Sequence, residues 1–382
     1  MFTPETSQLF EKRINPSNGV PHYVLTEHVA PFQQGFYFVN NSMTADGRYL
    51  WFYASCPPMH SANIRMLGFV DFEEDSVNLC PDALFNDASP WVHPESGDVY
   101  FTFENKIFKK SPKKDQPPDL IFELKNKRLT SSLATHLTPL DVNCNRFFLD
   151  FREGNKDFTV GVANAESGEF ERWYDSPFCM GHGQINPKNP DLALCCYDGF
   201  TDTQTGESFW IPTNEDGVYQ RLWTVEKTGK ATLHAPIGKM ASHEWWSEDG
   251  KKIYYVSHSG INCKNIETGE HKTVHICDPW HAHTTKDETL YVYDDVLRDK
   301  YPNWYRGCAS AVRLFNSTTG KVINIVDRMS ENNWTLDNQC NYHIDPHPRF
   351  SENGKYIIFT TSNEGGADVA LANVVEVLSF EK

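Results

Sequence analysis

The sequence is poor in positive charge and has no long hydrophobic run. It contains 35 lysines and arginines against 51 aspartates and glutamates, a net charge of −16. Nonspecific binding to nucleic acid or to an anionic membrane is therefore not expected. No stretch reaches the length of a membrane span, and the N-terminus lacks the apolar segment of a signal peptide. We expect a cytoplasmic protein, or a periplasmic or secreted one if a signal peptide has been removed.

Several signatures of known enzymes and metal sites are also missing. The chain has no GxSxG elbow, no Walker loop, no dinucleotide GxGxxG and no CxxC zinc pair. Its ten cysteines are expected to be reduced and mostly buried. A small metal site joining Cys263 and Cys277 to His258, His275 or His281 is an alternative. Helical periodicity is weak throughout, which favours an all-β fold.

A turn followed by a strand-like run occurs seven times along the chain. After most copies comes a second strand pair with its own turn, so one unit corresponds to four antiparallel strands. Radial repetition of such units forms a β-propeller. The seven copies lie at 44–53, 93–102, 138–151, 186–197, 247–257, 285–294 and 351–361.

We therefore predict an all-β, seven-bladed β-propeller of four-stranded antiparallel blades, with residues 1–382 forming a single domain. Residues 1–43 are expected to supply the strand that closes the ring against the last blade. The insertion at 199–219 lies inside a blade, and a long insertion of this kind often contacts substrate.

Five histidines precede five of these turns by only a few residues. In a propeller, equivalent positions of successive blades surround one mouth of the central channel. Imidazole serves both metal ligation and proton transfer near neutral pH, so such a ring is a candidate active site. The alternative is that each histidine packs or caps against a backbone carbonyl. The five are His136, His182, His243, His281 and His347.

The segment 338–350, NQCNYHIDPHPRF, is the densest in potential metal ligands. It holds Gln339, His343, Asp345 and His347, and alternate residues of an extended segment share a face. With His281 they form a mixed nitrogen and oxygen set that suits Mn, Fe, Ni or Zn better than Ca or Mg. The alternative is a turn at Asp345 with His343 on the surface.

Two further residues are candidates for substrate binding. Arg221 begins a strand near the predicted ring, and its planar guanidinium can bind both oxygens of a carboxylate. Trp245 follows His243 and is a candidate floor for a sugar. The alternatives are a surface charge for Arg221 and core packing for Trp245.

At these residues the chain resembles the oligogalacturonate lyases, seven-bladed β-propeller polysaccharide lyases of pectin breakdown. The resemblance covers mainly residues 180–370. It is carried by GHGQINPKNPDLALCCYDG, RLWTVEKTG, SHEWWSEDGKKIYYV, WHAHTTKDETLYVYDD and DPHPRFSENGKYIIFTTSNEGGADVAL.

The resemblance implies a manganese ion held by three histidines and a glutamine, one histidine base and one arginine on the substrate carboxylate. By position it assigns His243 as the base, Arg221 as the clamp, and His281 and His347 as ligands. The family has His-Pro-His-Pro where this chain has Asp345-Pro346-His347-Pro348. Asp345 thus replaces a histidine. Either His343 or Gln339 replaces the family's glutamine, or that ligand is missing.

The resulting expectation is a polysaccharide lyase that cleaves a 4-linked uronate glycan by metal-assisted β-elimination and leaves a 4,5-unsaturated uronate. The cofactor would be a divalent metal, with Mn favoured and Zn, Ni or Fe as alternatives. The partner would be an acidic oligosaccharide, which His182 and His136 would help to bind. The alternatives are an ulvan-type or other uronide lyase, a hydrolase with two carboxylates, and a non-catalytic sugar-binding or scaffolding propeller. The oligomeric state is not predicted.

Overall fold

A computed structural model describes residues 1–60, 64–125, 129–154, 157–201, 206–295, 310–329, 344–363 and 365–381. These residues form an all-β fold with 31 strands and one short helix, α1 (Val374–Leu378). The strands of the first half are β1 (Phe10–Ile14), β2 (Pro21–Leu25), β3 (Phe32–Gln34), β4 (Tyr49–Ser55), β5 (Ile64–Asp71), β6 (Ser76–Asn86), β7 (Trp91–Val92), β8 (Val99–Phe103), β9 (Lys106–Lys110), β10 (Asp119–Glu123), β11 (Thr138–Pro139), β12 (Arg146–Glu153), β13 (Asp157–Asn164), β14 (Phe170–Ser176), β15 (Met180–Asn186) and β16 (Asn189–Tyr197).

The remaining strands continue the same pattern. They are β17 (Phe200–Thr201), β18 (Ser208–Phe209), β19 (Leu222–Glu226), β20 (Ala231–His234), β21 (Ser242–Trp246), β22 (Lys252–Ser257), β23 (Gly260–Asn265), β24 (His271–His275), β25 (Pro279–Thr284), β26 (Leu290–Asp295), β27 (Ala311–Asn316), β28 (Lys321–Val326), β29 (Arg349–Phe350), β30 (Tyr356–Ser362) and β31 (Ala367–Asn373).

Most strands belong to four-stranded antiparallel sheets, as the repeats predicted. Five such sheets follow one another along the chain, in the orders β10-β9-β8-β7, β11-β12-β13-β14, β15-β16-β19-β20, β21-β22-β23-β24 and β25-β26-β27-β28. The strands β17 and β18 form a separate two-stranded sheet within the predicted insertion.

The two ends of the chain meet in one nine-stranded sheet. It contains β3 to β6 on one side and β29, β30, β31, β2 and β1 on the other. Tyr23 and Val24 of β2 pair antiparallel with Leu371 and Ala370 of β31. A single parallel pairing, Phe32 with Ala367, joins the two sides and makes this sheet mixed rather than purely antiparallel.

The sheets pack face to face through apolar side chains on both surfaces. Strand β4 is an example, since its central residues Leu50, Trp51 and Phe52 are all fully buried. Leu50 and Phe52 belong to one core cluster and Trp51 to another, because alternate residues face opposite sides of a strand. Within the described ranges, no helix is both long and apolar enough to cross a membrane.

The strands β15, β21 and β25 share one irregularity in their pairing, and it involves site residues. In the pairing of β15 with β16, β21 with β22 and β25 with β26, two residues of the first strand lie opposite one residue of its partner. Each is a β-bulge, which redirects a side chain out of the regular alternation. The bulges lie at His182, His243 and His281, so the pairing irregularity coincides with three of the predicted site histidines.

Candidate active site

The predicted histidines come together at one end of the inner strands. They surround a cavity of about 620 Å³, called here the histidine cavity, which is lined by His136, His182, His243, His347 and Arg221. His281 is fully buried beside it. Its ring centroid lies 4.2 Å from that of His243 and 4.3 Å from that of His347. Residues separated by 211 positions in the sequence are thus neighbours.

Tyr37 occupies the middle of this group. Its ring centroid lies 4.6 Å from that of His136, 4.8 Å from His347, 5.7 Å from His281, 6.0 Å from His182 and 6.5 Å from His243. Burial, with the charge of Glu244 adding to it, holds the pKa of Tyr37 well above its usual value. Among the described residues, its buried hydroxyl has no hydrogen-bond partner.

One side of the cavity carries a cluster suited to a metal ion. Ligating atoms of His281, Asp345 and His347 all lie within 4.8 Å of one another, and all three residues are buried. The Asp345 carboxylate lies 3.9 Å from His347 Nε2. Two imidazoles and one carboxylate form the mixed donor set that transition metals prefer.

His281 is oriented as metal-binding histidines commonly are. Its Nδ1 lies 2.8 Å from Asp294 Oδ2, and its backbone N–H also donates to Asp294. This contact fixes the ring and leaves Nε2 buried without a hydrogen-bond partner in the described part of the chain. A carboxylate behind a ligating histidine is the usual arrangement in metal sites. The donor set and this unpartnered nitrogen therefore fit a divalent metal.

The opposite side of the cavity is an ion-pair network built around Glu244. This carboxylate is buried and lies 3.3 Å from Arg221 Nε and 3.3 Å from His182 Nδ1. Arg221 Nη1 also donates to Asp198 at 3.0 Å. The Arg221 guanidinium is therefore held in place by two carboxylates at the cavity wall.

The pKa values of His243, His182 and Glu244 are shifted by burial and by neighbouring charges. Burial, reinforced by the charges of His281 and Arg221, holds the pKa of His243 well below its usual value. Burial also acts to lower the pKa of His182, but the hydrogen bond and charge of Glu244 outweigh it and leave that pKa raised. For Glu244, the positive charge of Arg221 outweighs burial and holds the pKa well below its usual value.

A second group of potential ligands, His182, Cys196 and Glu244, lies within this network. We assign no metal to it for two reasons. The Glu244 carboxylate already faces the Arg221 guanidinium, whose charge would repel a cation. Burial also raises the pKa of Cys196 well above its usual value, which favours the neutral thiol over the thiolate that metals bind.

The other sequence candidates are placed elsewhere. Trp245 is buried, stacks on Tyr254 with centroids 5.2 Å apart, and lines a different cavity from the histidines. Gln339 and His343 lie outside the described residues. Cys263 packs in a hydrophobic cluster with Cys277 against it, and neither belongs to a ligand group in the described ranges.

Several residues of the cavity were not found from sequence. Tyr37 comes from a segment without a histidine, and Glu244 and Asp294 are single carboxylates with no motif around them. Burial raises the pKa of Asp150, another carboxyl group in the wall, to about 7. From the insertion, Trp210 and Tyr219 line the cavity, and Trp210 is 80% exposed. The position of the insertion in the sequence was the available signal for these two.

The backbone of three histidines is unusual. His182, His243 and His347 have φ angles of 56°, 47° and 43°, in the left-handed region that glycine adopts readily and other residues adopt uncommonly. This conformation, together with the bulges, turns the imidazoles toward the cavity.

Comparison with known proteins places these observations in a family context. No family model matches the chain. It is 27% identical over 224 residues to the oligogalacturonide lyase of Pectobacterium atrosepticum, a match covering 54% of this chain and 53% of that protein. It is 26% identical over 213 residues to the oligogalacturonate lyase of Dickeya dadantii, covering 51% and 50%. The chain thus spans about half the length of the curated relatives it matches.

The likeness in structure extends further. A solved oligogalacturonate lyase in complex with manganese superposes with a TM-score of 0.72 and 15% identity, over 95% of this chain and 96% of that one. The oligogalacturonate lyase of Vibrio parahaemolyticus superposes with a TM-score of 0.72 and 17% identity, over 96% of each chain. The chain therefore resembles the oligogalacturonate lyases in sequence over about half its length and in fold over nearly all of it, as its motifs indicated.

Proposed function

We propose that this protein is a lyase that cleaves 4-linked uronate oligosaccharides of the oligogalacturonate type by metal-assisted β-elimination. The observation that carries the proposal is a metal-type cluster of His281, Asp345 and His347 at the edge of the histidine cavity. His347 lines that cavity together with His243 and Arg221, and the rings of His281 and His243 lie 4.2 Å apart. The relatives named as oligogalacturonide and oligogalacturonate lyases support the same reaction.

The scaffold for this activity is, in our proposal, one seven-bladed propeller domain. The five separate sheets would be five blades, and the nine-stranded sheet would contribute two. The pairing of β2 with β31 supports closure of the ring by the N-terminal segment. The inner strands would then surround one channel, with the histidine cavity at its mouth.

The chemistry requires removal of a weakly acidic proton beside the uronate carboxylate. A divalent metal held by His281, His347 and Asp345 would supply Lewis-acid stabilisation of the charge that develops on that carboxylate. Arg221, held by Glu244 and Asp198, positions a second positive charge at the cavity wall. His243 faces the same space as the base. If its Nδ1–H donates to Ser242 Oγ, 2.9 Å away, Nε2 is the nitrogen that takes the proton.

Substrate contacts would come from both sides of the cavity. His182 carries a raised pKa and can offer a positive charge to a neighbouring uronate, while His136 lies deeper against Tyr37. The exposed indole of Trp210 offers a flat apolar surface of the kind that stacks on sugar rings. The acidic oligosaccharide is therefore the proposed partner, and manganese the favoured metal, with Zn, Ni or Fe as alternatives.

The test is direct assay on a panel of substrates. Oligogalacturonate, other 4-linked uronides and ulvan are incubated with chelator-treated protein, with and without added Mn²⁺, and the ultraviolet absorbance of the unsaturated product is followed. We expect metal-dependent product from oligogalacturonate. His243→Asn, which suits the left-handed backbone, should lower kcat by about 10²–10⁴-fold, and the exposed His258→Asn should not. Absence of unsaturated product from every uronide, or saturated products only, would overturn the proposal.

A further inference from the structure

A second cavity lies at the opposite end of the same inner strands. It has a volume of about 760 Å³ and is called here the far cavity. Strand β21 contributes His243 to the histidine cavity and Trp245 to the far cavity. Near β29, His347 faces the first and Arg349 the second. Among the described residues the two cavities share no lining residue.

Phe38 lies between the two cavities. It is fully buried, and its ring centroid is 6.3 Å from that of His243 on one side and 6.0 Å from that of Trp245 on the other. The far cavity is therefore a separate compartment from the one that holds the proposed lyase residues.

The far cavity contains a buried guanidinium, Arg349, whose pKa burial lowers to about 10 although the nearby charge of Glu352 acts to raise it. Arg349 is only 5% exposed, and no carboxylate among the described residues lies within ion-pair distance of it. Its Nε donates to the carbonyl oxygen of Phe350 at 3.2 Å, and its Nη1 is buried with no hydrogen-bond partner in the described ranges. A buried guanidinium is unfavourable unless an anion compensates it, which points to a ligand.

A second unpartnered donor belongs to a residue that lines the same cavity. Trp245 Nε1 is buried and has no hydrogen-bond partner in the described part of the chain. The lining of the far cavity also includes three further aromatic side chains, Trp91, Trp246 and Phe350. Two N–H donors set among aromatic rings can bind one anionic group attached to a molecule with an apolar face.

The outer part of the far cavity selects against polyanions. Carboxylates line it, and most are already paired. Glu352 binds Lys286, Glu248 lies 3.4 Å from Lys188, and Asp141 lies 3.2 Å from Arg146. Asp287 accepts hydrogen bonds from Thr285 and Thr289. The lining still holds five carboxylates against two positive side chains, Lys286 and Arg349. It therefore disfavours a highly charged anion, whereas a single carboxylate can bind Arg349.

We infer that the far cavity binds a small monocarboxylate with a ring-sized apolar face, the chemical class of monomeric uronic acids. Its carboxylate accepts hydrogen bonds from Arg349 and Trp245, and its ring lies against the aromatic wall. This inference goes beyond the lyase proposal and does not depend on any reaction in the histidine cavity.

The experiment measures binding of D-galacturonate by titration calorimetry, with glucose and inorganic phosphate as comparison probes. Wild-type protein and an Arg172→Met variant should bind galacturonate equally, because Arg172 lines neither cavity and pairs with Glu153 and Asp175 at the surface. Arg349→Met should weaken binding at least about tenfold, since it removes charge-assisted hydrogen bonds.

The inference is overturned if galacturonate binds no better than glucose, if phosphate binds at Arg349 and galacturonate does not, or if Arg349→Met leaves the affinity unchanged. Should Arg349→Met fail to fold, wild-type crystals soaked in galacturonate decide the question. A carboxylate on Arg349 supports the inference, and a far cavity without sugar overturns it. Lyase assays on the same preparations report on the histidine cavity separately.

Discussion

His281 and Asp294 form the most direct link between the cavity and the sheet behind it. The imidazole Nδ1 lies 2.8 Å from the carboxylate, and both side chains are almost fully buried. The aspartate belongs to β26, the strand that pairs with the histidine's own strand β25. The direction of the proposed metal ligand is therefore set by the neighbouring strand of its own sheet.

Replacing this carboxylate should weaken metal binding while leaving the proposed ligands in place. Asp294→Asn should lower the affinity for Mn²⁺ by about 10- to 100-fold, the usual effect of removing the residue that orients a ligating histidine. Calorimetric titration of chelator-treated protein measures it. Asp295→Asn is the control, because Asp295 pairs with Arg313 at 3.0 Å outside this contact. Equal Mn²⁺ affinity in wild type and Asp294→Asn would argue against His281 as a ligand.

Removing the Tyr37 hydroxyl should lower the activity of the enzyme without lowering its thermal stability. Tyr37→Phe keeps the ring that packs on His136 and His347, and removes a buried hydroxyl with no partner among the described residues. Because burying an unpaired hydroxyl costs about 1–3 kcal/mol, the Tm of the variant should stay equal or rise. If the hydroxyl contacts substrate, kcat should fall at least about tenfold. Thermal unfolding and lyase assays test the two effects, and a lowered Tm with full activity would refute both.

The exposed indole of Trp210 should contribute to substrate affinity alone. Trp210→Ala should raise KM by about 2- to 10-fold, as expected for the loss of one aromatic contact, with kcat and Tm little changed. Steady-state kinetics on oligogalacturonate measure this. Ile276→Ala, at a residue 82% exposed, is a control for losing an exposed apolar side chain. An unchanged KM would remove the insertion from the proposed substrate site.

Acid should destabilise the protein through a histidine far from the cavity. Burial, with the charge of Arg13 adding to it, lowers the pKa of His22 to about 4. An unfolded chain binds that proton near pH 6.5, so the unfolded state holds more protons between these values and the free energy of unfolding falls as pH drops. The contribution of this one residue is up to about 3 kcal/mol.

His22→Leu should flatten that dependence. Denaturant unfolding between pH 7 and pH 4 is the measurement, with His258→Leu as the exposed control. If the variant loses as much stability on acidification as wild type, His22 does not carry this effect.

Sequence spacing predicted the part of the site that repeats. The five histidines all stand a few residues before a turn, and the structure places four of them around one cavity with His281 buried beside it. In the first repeat, Asn40 stands at the position before the turn at Thr44 where five later repeats have histidine. Tyr37 lies three residues before Asn40, so the repeat pattern did not identify it. Pairs such as His281 with Asp294 depend on strand pairing, which the repeat pattern does not specify for single carboxylates.

The sequence prediction for Trp245 was wrong because a β-bulge changes the direction of the side chains. The sequence placed Trp245 after His243 and suggested that it would contact a sugar in the same site. The bulge between Ser242 and Trp245 adds a residue at this point, so simple alternation no longer relates His243 to the tryptophans that follow. Both tryptophans line the far cavity instead. A bulge depends on local pairing and is not visible in apolar periodicity.

The left-handed backbone conformation of three site histidines implies a trade-off between thermal stability and activity. Each such residue costs roughly 1–2 kcal/mol relative to a residue suited to that backbone. Selection for a robust fold alone would favour glycine or asparagine at His182, His243 and His347. A variant library selected only for thermal stability should therefore become enriched in glycine or asparagine at these positions and become inactive. A library selected for turnover should retain the three histidines.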